Sequence, residues 1–120
     1  MSRINKTFER LKGERTSGLI VYLTGGDPRP DRTVDFILAL EQGGADIVEL
    51  GVPFSDPVAD GPVIQRASER SLQAGTTLAG VLDIVCHVRK TSEIPLIIFS
   101  YLNPVLRYGF EKFTEDAAEA

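Results

Sequence analysis

A single cysteine, Cys86, and a single histidine, His87, are all that the 120 residues offer of either type. One cysteine cannot close an internal disulfide, which fits a reducing compartment. No Cys/His/carboxylate set has metal-ligand spacing. Basic charge is also short: 13 Lys and Arg against 17 Asp and Glu leave a net charge of −4. With no basic stripe and no interleaved aromatics, this argues against a nucleic-acid binder. No apolar run approaches the ~20 residues of a membrane span. Five basic residues precede Gly18, but Glu9 and Glu14 interrupt them and no apolar core follows, so the N-terminus does not read as a signal or transit peptide. Low-complexity segments and linkers are missing, and no Gly-x-Gly-x-x-Gly follows any strand, which lowers the dinucleotide-binding version of an α/β fold.

What is present is ordinary soluble-domain chemistry, 42% apolar and 25% charged, in a length that suits one small domain. Met1 to Lys12 has helical spacing, with Ile4, Phe8 and Leu11 on one face, and Gly13 to Gly18 reads as a loop. Leu19 to Leu23 is a continuous apolar run, the pattern of a parallel strand buried on both faces. It ends in the turn residues Thr24-Gly25-Gly26-Asp27-Pro28. Asp31 is the expected N-cap of a helix that Gly43-Gly44 ends, and Asp46 to Leu50 is the second strand. Pro62 to Ala74 reads as a helix, and Thr77 caps another that carries Leu78, Val81, Leu82 and Val85 on one face. Leu96 to Ser100 is the third strand, a short turn around Gly109 comes beyond Tyr101-Leu102-Asn103-Pro104, and an amphipathic helix starts at Phe110.

Strands alternating with helices imply a parallel sheet with right-handed crossovers. In each unit the polar and glycine-rich residues gather just after the strand, where a (β/α)8 barrel builds its active site, so the barrel is favoured over a doubly wound sheet.

The chain is organised around Ile47 to Gly61, I-V-E-L-G-V-P-F-S-D-P-V-A-D-G. A carboxylate, Glu49, stands near the exit of a buried strand, which is costly unless it has work or a partner. A second, Asp60, sits on the following loop, where it can be carried over the first, as an acid and a base facing one substrate would be. Blander readings stand beside these. Glu49 also reads as half of a structural ion pair, and Asp60 before Gly61 as turn chemistry or a cap. Asp56 before Pro57 and Asp27 before Pro28 read most simply as turn residues. His87 reads as a surface residue and Cys86 as helix packing against the sheet.

The stretch V-E-L-G-V-P-F-S-D-P-V-A-D-G resembles the signature of the tryptophan synthase alpha subunit family, and R-I-N-K-T-F, Y-L-T-G-G-D-P and Y-L-N-P-V agree with it in the right order. The resemblance implies a (β/α)8 TIM barrel and a cytoplasmic lyase that cleaves indole-3-glycerol phosphate to indole and glyceraldehyde 3-phosphate. It implies no metal or cofactor of the chain's own. The implied partner is a beta subunit that holds pyridoxal phosphate, in a heterotetramer of two alpha and two beta subunits. Residue by residue, Glu49 and Asp60 match the family's catalytic pair. Glu49 suits protonation of indole C3, and Asp60 the charge that develops at the ring N–H. Tyr22, Phe99 and Tyr101 would line the indole pocket. Pro53, Asp56 and Asn103 fall where the family meets its beta subunit.

The departure is length, because the barrel usually takes ~250 residues and its phosphate site is commonly built after strands 7 and 8. The expectation is that residues 1–120 are the N-terminal portion of one barrel domain: an N-terminal helix and three βα units. Two other readings stay open: a non-catalytic incomplete fragment, and a free-standing lyase that releases indole without a beta subunit.

Overall fold

The computed structural model describes residues 1–120. The N-terminal helix, α1 (Arg3–Glu14), starts where Ser2 accepts the Asn5 N–H and stops at Arg15, a left-handed residue with φ of 54°. Strand β1 (Ile20–Thr24), helix α2 (Pro30–Gln42) and strand β2 (Ile47–Gly51) follow. Two helices, α3 (Pro62–Gln73) and α4 (Leu78–Arg89), precede strand β3 (Leu96–Phe99), and α5 (Leu102–Tyr108) and α6 (Phe110–Glu119) end the chain. The strands form one parallel sheet in the order β1-β2-β3, so each connection is a crossover. Register sets Tyr22 beside Glu49 beside Ile97, then Leu23 beside Leu50 beside Ile98, and Thr24 beside Gly51 beside Phe99.

Alternation along the strands divides the sheet into two unlike faces. Val48 and Leu50 are fully buried against Ile37 of α2 and Val81, Val85 and Val88 of α4, with Leu23, Leu96 and Ile98 packed at the margin. The opposite face is buried at Ile47 but open at its margins, where Ile20 and Phe99 stay 45% and 50% exposed. Three βα units with helices on one face make a partial (β/α)8 barrel, as the alternation implies.

Ion pairs fasten α1 to the lower end of the sheet. Arg10 pairs with Asp46, whose Oδ2 also accepts the Leu19 N–H at 2.8 Å, and Arg3 pairs with Glu93. The Leu19 N–H, and then Arg10, hold the Asp46 carboxyl below its usual range. At the opposite end, the turn after β1 is knotted by buried hydroxyls. Thr33 accepts the Gly26 N–H at 2.9 Å, and Ser71 donates to the Gly25 carbonyl at 2.6 Å. Gly26 has φ of 79°, and a Cβ there would meet Thr76 Oγ1 at 2.0 Å, so only glycine closes this turn.

Several expectations need correction. Asp31 is not the cap of α2: the helix begins at Pro30, with Arg29 in the capping position. Proline's fixed φ and missing N–H suit a first helical residue, which leaves Asp31 in the first turn beside the positive helix end and Arg29. Each of the first two strands lies one residue later than expected. Leu19 and Asp46 are tied to each other just before them. Between Tyr101 and the turn at Gly109 lies a helix, α5, that the sequence reading did not assign. Pro104 falls in its first turn, where no intrahelical donor is lost. Cys86 does not pack on the sheet but is exposed, since the buried stripe of α4 runs through Val81, Ile84, Val85 and Val88. His87 is exposed, as expected, with Nδ1 at 2.7 Å from the Asp83 carbonyl. No helix is long and apolar enough to cross a membrane.

Candidate active site

The open face of the sheet collects residues singled out from the sequence. Glu49 is the middle residue of β2, which is paired on both sides, so its backbone is the most constrained in the sheet. Its side chain is half-buried between Tyr22 of β1 and Ile97 of β3. The Tyr22 ring leans over Gly51. A Cβ on Gly51 would meet the Tyr22 hydroxyl at 2.2 Å and a ring carbon at 2.7 Å. The same ring stands edge-on to Phe99, with centroids 5.6 Å apart at 81°. Thr24 Oγ1 donates to the Tyr22 hydroxyl at 3.2 Å. Burial pushes the Tyr22 phenol up, and the charges of Asp60 and Glu49 push it the same way. The phenol therefore feels the charge of both carboxylates.

Asp60 belongs to the loop between β2 and α3. Within the loop, the Val58 N–H bonds to the Asp56 carbonyl at 2.9 Å and the Asp60 N–H to the Pro57 carbonyl at 3.0 Å. Gln65 on α3 donates to the Asp60 carbonyl at 2.8 Å. Tyr101, just after β3, closes the loop from the side. Its oxygen accepts the Ala59 N–H at 2.9 Å, and its O–H donates to Asp60 Oδ2 at 3.0 Å. Its ring also meets that of Phe54, with centroids 5.4 Å apart. Phe54 and Ala59 were not singled out from the sequence. Contacts that depend on pairing two loops some forty residues apart leave no local signal.

Tyr22 and Phe99 thus stand together beside Glu49, and Tyr101 stands with Asp60. Of the other three residues, Pro53 and Asn103 line one groove of about 970 Å³, walled also by Phe54, Leu72, Leu106 and Tyr108. Asp56 is exposed on the loop and does not line that groove. No three of the His, Cys, Asp and Glu side chains gather as a set that could hold a metal ion. Chemically, the arrangement offers one acid on a rigid strand, a second on a tethered loop, and aromatic surface between them for a flat apolar ring.

The sequence matches the family described as tryptophan synthase alpha chain over residues 8–120. A tryptophan synthase alpha chain from Solibacter usitatus is 61% identical over the whole of this chain, which covers 45% of that relative. One from Caldanaerobacter subterraneus is 48% identical, again over the whole chain and 46% of the relative. Among solved structures, tryptophan synthase subunit alpha from Legionella pneumophila superposes with a TM-score of 0.97 at 48% identity. That match covers 99% of this chain and 46% of the other. An aminoacrylate-bound tryptophan synthase from M. tuberculosis gives a TM-score of 0.91 at 37% identity, covering 99% and 48%. The chain spans less than half the length of these relatives.

Proposed function

The chain belongs to the tryptophan synthase alpha chain family, and from that premise we propose that its residues form the acid–base half of a lyase site. The substrate is indole-3-glycerol phosphate and the products are indole and glyceraldehyde 3-phosphate. In this reading residues 1–120 are part of one barrel domain. The observation that supports it best is that Glu49 lies beside Tyr22 on the open face of the sheet while Tyr101 ties Asp60 just past the strand ends, where barrels carry their chemistry.

The chemistry gives each group a distinct task. Protonation at C3 turns the indole into an iminium cation and weakens the bond from C3 to the glycerol chain. Glu49, held on a strand, delivers that proton. As the bond breaks, its electron pair returns to the ring, and the neighbouring hydroxyl becomes the aldehyde by losing its proton. The Glu49 carboxylate recovers that proton, so the balance closes. Asp60 accepts the ring N–H and stabilises the positive charge while it lasts. Tyr22, Phe99 and Tyr101 offer the apolar faces.

The partner in this reading is a beta subunit that carries pyridoxal phosphate, in a heterotetramer of two alpha and two beta subunits in the cytoplasm. Pro53, Asp56 and Asn103 contribute to that contact, and the groove shared by Pro53 and Asn103 supports it. The site needs no metal or cofactor of its own. Indole release from indole-3-glycerol phosphate, measured on residues 1–120 joined to the C-terminal remainder of the Solibacter usitatus relative, tests the reading. No release by a folded chain would overturn it.

A further inference from the structure

The Tyr101 phenol spends its whole bonding capacity on one segment. Its ring meets Phe54 near the start of the β2–α3 loop, and its oxygen accepts from Ala59 and donates to Asp60 near the end. The other bonds of that loop are to the Asp56, Pro57 and Asp60 carbonyls, and none of them reaches the Asp60 carboxylate. Within residues 1–120 Tyr101 is thus the donor to that carboxylate, and it engages Oδ2 alone.

We propose that Tyr101 is a positioning residue that grips Asp60 by Oδ2 and leaves Oδ1 free to accept the ring N–H of the substrate. This rests on the lyase reading above, and it assigns Tyr101 a task beyond lining a ring pocket. Three features favour it. A phenol that already accepts a backbone N–H has its own proton left for one acceptor, and Asp60 Oδ2 lies at 3.0 Å. Burial pushes the Tyr101 phenol above its ordinary value, and the bond to Asp60 adds to this, so the proton stays on the oxygen at neutral pH. A carboxylate on a loop has many rotamers. One oxygen held by a neighbour on the β3 side fixes the direction of the other.

The test uses residues 1–120 joined to the C-terminal remainder of the Solibacter usitatus relative, with and without Tyr101→Phe. Phenylalanine keeps the ring against Phe54 and removes both hydrogen bonds. Amide exchange at Ala59 should quicken about tenfold, while Val48 and Leu50 exchange as before. The kcat for indole release should fall about 10- to 100-fold, with KM nearly unchanged. In an Asp60→Asn background, Tyr101→Phe should cost nothing further. Unchanged exchange at Ala59 would overturn the latch. A rise in KM alone would make Tyr101 only a wall of the pocket, and losses that multiply with those of Asp60→Asn would make the two independent. Loss of folding would make the residue a structural support. If Ala59 behaves as expected but the unsubstituted chain cleaves nothing, the lyase reading falls and takes the positioning role with it, leaving only a loop latch.

Discussion

Tyr101 and Asp60, on two successive strand-end loops, are joined by a hydrogen bond of 3.0 Å in which the phenol donates to the carboxylate. That bond carries the acid of one βα unit on the frame of the next. Glu49 has no such tether and relies on strand pairing on both sides of β2. The two carboxylates are therefore held by different means, one by the sheet and one by a side chain.

Glu49→Gln preserves shape and removes the transferable proton. In the completed chain, indole release should drop by about 10²- to 10⁴-fold, the usual worth of general acid–base catalysis. Binding of an uncleavable substrate analogue should persist. A near-normal rate in this variant would assign the proton to another group.

Gly51→Ala tests the approach of Tyr22. The new Cβ would sit 2.2 Å from the Tyr22 hydroxyl, so the ring must swing away or the strands part. Overpacking of this kind costs about 1–3 kcal/mol, to be read from urea unfolding. Adding Tyr22→Leu should restore much of the loss, because the listing ring is what the methyl meets. Equal stability of Gly51→Ala and the parent chain would mean that Tyr22 does not hold this position.

Much of the fold was legible because its signals are local. Apolar runs of β-branched residues, the glycines at helix ends and the Thr77 cap each act within a few residues, and the alternation of units followed from them. Helix α5 was not legible, because Pro104 reads as a breaker unless its place in the first turn is known. Cys86 was misread because two registers of an apolar helix bury neighbouring stripes, and only packing chooses between them. Glu49 stood out as a charge inside an apolar strand. The tie from Tyr101 to Ala59 and Asp60 was hidden, since nothing in either loop names the other.

Asp46 predicts how stability responds to acid. The Leu19 N–H, and then Arg10, depress its folded pKa below the unfolded value of about 3.9. A depressed carboxyl stabilises the fold above its unfolded pKa and loses that contribution as pH falls through the folded one. Asp46→Asn should therefore lower stability at pH 7, and the deficit should shrink as pH falls through the folded pKa, where the native carboxyl becomes neutral as well. Urea midpoints across that range would check this. An equal deficit at both ends would mean that packing, and not charge, is what Asp46 provides.

The open face of the sheet governs what residues 1–120 do when expressed alone. Ile20 and Phe99 are about half exposed there, and Tyr22 and Ile97 form the row between theirs on the same face. In a closed barrel that face is filled by side chains of the other strands. The outer strands β1 and β3 also carry one unpaired side each, a template for pairing with another chain. Further apolar side chains, Leu102, Leu106 and Phe110, stand more than half exposed on α5 and at the start of α6. Water against so much apolar surface favours association, and each copy brings two open strand edges to it. Sedimentation velocity on the isolated 120 residues should show species larger than a monomer that grow with concentration, and an indole-release assay should show no turnover. A charge on that face, as in Ile97→Lys, should shift the distribution toward monomer. A cooperatively unfolding, active monomer would contradict both expectations, and would mean that three βα units close a site on their own.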